Sequence, residues 1–133
     1  MALNENNLVK FCPAPRETCL WELKKSRTKT PDKFYYDQLE KHQEKCLLQS
    51  KTKTGVWWKC PDMGLGAHQL MCDGFYIKEA KVAYVIIIFY TPRAKKTFYY
   101  IDIDDLLFER ARHPRKALTK TRASEICRYE ITV

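Results

Sequence analysis

The chain has 133 residues, enough for one domain that buries roughly two-thirds of its unfolded surface. Hydrophobic residues make up 45% of it, which excludes wholesale disorder, and no apolar run reaches the about 18 residues of a membrane span. Its 24 basic residues against 16 acidic ones give a net charge of +8, an excess that favours a polyanionic partner such as nucleic acid, because each neutralised phosphate releases a counterion.

The N-terminus lacks the basic start and apolar centre of a signal peptide, so a cytoplasmic location is expected, in a bacterial or archaeal cell and with a viral origin also open. Six cysteines, at 12, 19, 46, 60, 72 and 127, show no framework spacing and read as reduced thiols. Cys19 and Cys46 stand beside apolar residues, as small buried hydrophobes do. Residues 1–13 read as an extended lead-in that ends at Pro13 and Pro15. Helical spacing of Cys19, Leu20 and Leu23 then predicts a helix from Pro15 to about Ser26, with a strand competing over 18–23. A basic link, 24–29, leads to Pro31. Residues 33–51 read as two strands joined by a turn. A helix competes there, because the second half is rich in Gln, Glu, Lys and Leu.

A loop over 52–67 carries Trp57-Trp58 and ends at a predicted helix from Ala67 to about Gly74, with His68 and Gln69 near its start. The β-branched and aromatic run 82–90 predicts a strand buried on both faces. A turn at 91–96 leads into a second strand, 97–103. Asp104-Asp105 opens a short helix to about Ala111. A basic loop, a last helix near 121–127 and an extended tail complete a single α/β domain, residues 1–133, with a central mixed β-sheet and flanking helices.

Hydrolysis of a phosphodiester requires a metal to polarise the phosphoryl oxygen and a cation to offset developing charge. On the hairpin reading, Asp32 or Asp37 near the start and Gln49 and Lys51 near the end would meet, and residues 49 and 51 would share a strand face. Basic and aromatic residues recur at element ends: Lys25, Arg27, Lys29, Lys53, Trp57, Trp58, Arg93, Lys95, Lys96, Arg115 and Lys116. They are the candidate nucleic-acid contacts, with the tryptophans placed to stack on an unpaired base. Cys46, Cys60, His68 and Cys72 could ligate zinc chemically, but their gaps match no compact pattern, and buried thiols beside a helix His account for them. No nucleophile elbow and no phosphate-binding glycine loop is present.

Four features together resemble the PD-(D/E)xK nuclease superfamily, and within it the RecU-type Holliday junction resolvases, from about Arg16 to Val133. Pro31-Asp32 before an aromatic segment is similar to the family's PD strand. Leu47-Leu48-Gln49-Ser50-Lys51, with its basic and threonine-rich tail, is similar to the E-x-K strand. His68-Gln69 precedes the strand at 82–90 as the family's HQ helix does, and the segment from Arg115-Lys116 is similar to the basic segment that closes those proteins.

The resemblance implies a restriction-endonuclease-like fold and a Mg²⁺- or Mn²⁺-dependent endonuclease that cleaves branched DNA with metal-activated water, acting as a homodimer. Asp32 would be a metal ligand, Lys51 the catalytic cation, Gln69 a helper, and Glu17 or Glu22 an acid from the first helix. Gln49 departs from the pattern and removes a negative charge. A weakened or inactive nuclease-fold protein that binds nucleic acid, or blocks a nucleic-acid enzyme, is therefore the alternative. A second register also exists. Trp21-Glu22-Leu23-Lys24 is an intact E-x-K followed by His42-Gln43, at the expense of an upstream Asp and of the predicted first helix.

Overall fold

A computed structural model describes residues 19–59, 74–114 and 116–133. Its elements in chain order are β1 (Cys19–Lys25), β2 (Lys33–Phe34), a 3₁₀ turn (Tyr36–Gln38), α1 (Lys41–Ser50), β3 (Val56–Lys59), β4 (Gly74–Ile77), β5 (Val82–Ile88), β6 (Thr97–Asp102), α2 (Ile103–Arg112), β7 (Leu118–Thr119), α3 (Lys120–Ile126) and β8 (Tyr129–Thr132). The described part is a small α/β fold with a mixed four-stranded sheet in the order β1-β5-β6-β8. Strand β1 runs parallel to β5, whereas β5/β6 and β6/β8 are antiparallel.

The sheet is organised by β5. All seven of its residues are buried, which suits a run of Val, Tyr and Ile with strands on both sides. Side-chain alternation splits the core in two. Ala83, Val85 and Ile87 join Leu20 of β1 and Ile101 of β6 beneath Leu47, Leu106 and Ala123 of the helices. Tyr84, Ile86 and Ile88 face the other way, with Trp21, Leu23, Phe98 and Tyr100. Tyr84 and Tyr100 meet edge to face, their ring centres 5.7 Å apart, a favoured aromatic geometry.

Three sequence expectations fail here, one of them the loop over 52–67, in which Val56–Lys59 form strand β3. Residues 19–25 form a strand where a helix was predicted. Cys19, Leu20 and Leu23 fit a helical spacing, but Cys19, Trp21 and Leu23 also fit a two-residue period, and the parallel edge of β5 selects that one. Residues 41–50 form helix α1 where the second strand of a hairpin was predicted. The Gln43 side-chain oxygen accepts a bond from Glu40 N at 3.0 Å and caps the first turn. Its apolar face is narrow, yet Leu47 and Leu48 dock on the sheet and supply what propensity alone does not. The preceding strand β2 has only two residues, and it pairs with β7.

Other expectations hold in outline. The strand predicted at 82–90 is β5, the strand at 97–103 is β6, and the last two helices are α2 and α3. Asp102 caps α2 through a bond from Asp104 N. The extended tail pairs with β6 as β8. The helix predicted over 67–74 lies outside the described residues, apart from Gly74 at the start of β4.

Both ends of the β1–α1 unit are tied to β5. The Ser26 hydroxyl donates to Pro31 O at 2.9 Å and accepts from Tyr90 N at 2.7 Å. Ala80 N donates to Ser50 O at 2.9 Å, which fastens the end of α1 to the loop entering β5. Between α1 and β3, Gly55 adopts φ +66°, and a Cβ there would stand 2.4 Å from Ile77 O. No helix among the described residues is long and apolar enough to cross a membrane.

Candidate functional site

Strand alternation places Glu22 and Lys24 on the same face of β1 as Leu20, which packs in the helix-covered core. Helix α1 crosses that face and brings Gln43 to Glu22. Gln43 Nε2 donates to Glu22 Oε1 at 2.9 Å while its oxygen is held by Glu40 N. The cap therefore fixes the orientation of the amide and turns its NH₂ group toward the carboxylate. Leu20, Trp21, Glu22, His42, Gln43 and Leu47 line a small cleft of about 170 Å³ at this junction.

Burial pushes the Glu22 carboxyl up, Lys24 and His42 pull it back, and Glu40 adds to the rise. Glu40 itself is bound to His42 Nδ1 at 3.2 Å. The strand E-x-K of the second register and its His42-Gln43 helix thus form one site, half-buried and polarised, on adjacent elements. Glu22 offers a hard oxygen of the kind Mg²⁺ and Mn²⁺ take, and Mg²⁺ needs only one or two carboxylates beside waters and phosphate oxygens. No group of three or more His, Cys, Asp or Glu side chains converges among the described residues, so Glu22 would act as a single protein ligand from this part of the chain.

The residues of the hairpin reading do not gather in this way. Lys51 caps the C-terminus of α1, and its ammonium bonds Asp102 at 3.1 Å and also Asp104. Burial pulls the Lys51 pKa down, but the bonds to Asp104 and Asp102 outweigh it and raise it. Asp102 is 1% exposed, so Lys51 serves as the counter-charge of a buried carboxylate. Asp37 is exposed and pairs with Arg27 at 3.5 Å, and Asp32 lies in an exposed turn where its carbonyl accepts from Lys120 N at 3.2 Å. Gln49 and Asp37 do share one groove, with Tyr36, Leu48 and Arg110, but neither Asp32 nor Lys51 lines it. The strand-face argument for 49 and 51 fails because both stand at a helix end.

Glu17, Gln69 and Arg115 lie outside the described residues, as do Cys60, His68 and Cys72 of the zinc reading. Cys46 is exposed on α1, against the expectation of burial. Trp57 and Trp58 lie on β3 opposite Tyr76 and Phe75 of β4, with their side chains outside the described part. Among the basic candidates, Lys25 sits 4.7 Å from the Tyr90 ring centre and Arg27 5.4 Å from that of Tyr35. Lys29, Lys53, Arg93, Lys95 and Lys116 are exposed, and Lys96 is half-buried beside a backbone pairing with Val133.

Gln43 and Lys24 are the site residues that the hairpin reading passes over. Their signal was present in the sequence, as an E-x-K followed by His-Gln with a buried strand downstream. In comparisons with known proteins, no family model, no curated protein and no solved structure gives a significant match to this chain.

Proposed function

We propose that the chain is a nuclease-fold protein whose phosphodiester site is centred on Glu22 and Lys24 of β1 and Gln43 of α1. It would act as a metal-dependent DNA endonuclease on branched DNA, in the manner of the Holliday junction resolvases it resembles. The observation that carries this reading is the 2.9 Å bond from Gln43 to Glu22, which joins an E-x-K strand to a His-Gln helix on one polar patch. A parallel strand, β5, beside the E-x-K strand supports it further.

In this role Glu22 would hold Mg²⁺ or Mn²⁺, and the bound ion would polarise the phosphoryl oxygen and lower the pKa of a water. Gln43 holds Oε1 of the Glu22 carboxylate and would thereby orient the group for the ion. Lys24, two residues along the same strand face, supplies the positive charge that the pentavalent phosphate requires. Two copies of the chain would suit the two symmetric cuts that resolve a junction.

Junction cleavage tests the reading. Wild-type protein incubated with a synthetic four-way junction and Mg²⁺ or Mn²⁺ should cut it, and Glu22→Gln should abolish the cutting without unfolding the domain. Absence of cleavage in either metal, at protein well above its binding constant, would exclude the enzyme.

A second reading keeps the fold and the basic surface but not the chemistry. It is a nucleic-acid-binding protein with a decayed site, and burial of Glu22 favours it, because a carboxyl held toward its protonated form is a poorer metal ligand. Tight junction binding with no cleavage and no effect of Glu22→Gln would select it.

A further inference from the structure

A second cleft, of about 420 Å³, shares no lining residue with the one at Glu22. It lies where the end of α2 meets β7 and the start of α3, and its polar walls include Glu109, Arg112, His113, Lys116 and Arg122. Both oxygens of Glu109 are taken by Arg122, at 2.9 and 3.0 Å, and Arg122 also bonds Glu125 at 2.8 Å outside the cleft. Among the described residues, the cleft's carboxylate is thus consumed by Arg122, the cation that is locked in place.

Arg112 and His113 stand close enough to pull the Glu109 carboxyl down, after Arg122 has done so, yet neither reaches it. Among the described residues, Arg112, His113 and Lys116 form no ion pair. Arg112 meets only the face of Phe108, 6.0 Å from the ring centre, and all three are exposed. Tyr36 adds a phenol whose pKa is raised by burial and by Glu109, so its O–H remains a donor at neutral pH. Unpaired cations and a phenolic donor around a concave surface are a set of anion ligands, and their excess charge matches one phosphodiester group rather than a metal or an apolar ligand.

We propose that this cleft binds a backbone phosphate of a nucleic-acid strand, with Arg112 and Lys116 as its principal contacts. The proposal rests on the nucleic-acid reading of the Glu22 site and adds a fixed anchor for the strand outside that site. Arg112 also complements the C-terminal end of α2 electrostatically, a role that would affect stability but not the salt dependence of binding.

Fluorescence anisotropy of a labelled four-way junction, titrated across salt concentrations, reads the difference. The Arg112→Ala/Lys116→Ala double variant is compared with Lys41→Ala/Lys45→Ala, which removes the same charge from exposed positions of α1. Replacing the cleft pair should lower the slope of log K against log salt by about 2, and the control pair by less than half as much. Arg112→Gln/Lys116→Gln should behave like the alanine pair. Equal changes in cleft and control pairs, or none in either, would overturn the anchor. Inorganic phosphate should weaken junction binding beyond the effect of chloride at equal ionic strength in wild type but not in the cleft double variant, and an equal effect on both would also overturn the anchor. If the wild-type protein fails to bind the junction at all, the nucleic-acid reading fails with it. If it binds and cuts in a Glu22-dependent manner with the slopes unchanged, the anchor alone is wrong.

Discussion

Glu22 and Lys51 show how charged side chains acquire opposite energetic roles from their surroundings. Lys51 neutralises Asp102, which is 1% exposed and whose other cationic neighbour among the described residues is Arg128, at 3.9 Å. Lys51→Ala should therefore cost roughly 3 kcal/mol in urea unfolding, as expected when a buried charge loses its partner. Cleavage by the folded variant should persist, and a stable protein without cleavage would return Lys51 to the active site. Glu22 carries the reverse penalty. Its pKa is raised mainly by burial, so its ionised form is disfavoured in the folded chain. The sign follows from linkage: the cost is absent at low pH, where the carboxyl is protonated in both states, and is fully present above the raised pKa. Glu22→Gln should stabilise the protein at pH about 7, and the gain should vanish as the pH falls below the ordinary carboxylate range. Thermal melts across pH would reveal it, and a pH-independent difference would contradict it.

At the scale of elements, α1 carries both the success and the main failure of sequence reasoning. Its residues are good helix formers, but Leu47 and Leu48 cover too narrow a face to announce a helix. What makes it one is docking on β1 and β5, together with the Gln43 cap, and neither is visible in the segment itself. The buried strand β5 was legible because seven consecutive core residues leave no other solution. The E-x-K of β1 was also legible, as was the His-Gln of α1. Their adjacency was not, because it depends on the parallel pairing of β1 with β5. Helices α1 and α2 are joined by Arg110, which bonds both oxygens of Glu44 at 2.8 and 2.9 Å. That bond lowers the Glu44 pKa, so its contribution is present above the ordinary carboxylate pKa and is lost as pH falls through the lowered value. Acid unfolding of Glu44→Gln should accordingly be shallower than that of wild type, and a parallel curve would show that the pair contributes nothing. The turn after α1 has its own constraint. Gly55→Ala places a Cβ against Ile77 O at a φ that side chains rarely adopt, and should cost about 1–3 kcal/mol in urea unfolding. An unchanged midpoint would mean that the turn relaxes freely.

For the molecule as a whole, the mixed sheet keeps the two proposed sites apart. One face of β5 is packed beneath α1 and α2, and at the β1 edge of that face stand Glu22 and Lys24 with Gln43 above them. The cleft that holds Arg112 and Lys116 lies elsewhere, between α2, β7 and α3, so the proposed phosphodiester site and the proposed strand anchor would occupy different parts of the fold. The net charge of +8 is therefore unevenly used. Lys51, Arg110 and Arg122 are spent on carboxylates, while Lys24, Arg112 and Lys116 form no ion pair among the described residues. The proposed site lies at Glu22, Lys24 and Gln43 rather than at Asp32, Gln49 and Lys51. Single-turnover cleavage of a four-way junction in Mn²⁺ by Glu22→Gln, Lys24→Ala, Asp32→Asn and Gln49→Glu tests it most directly. The first two should fall at least about 100-fold while the last two cut like wild type. Loss in Asp32→Asn, or a sharp rise in Gln49→Glu, with Glu22→Gln unaffected, would contradict it.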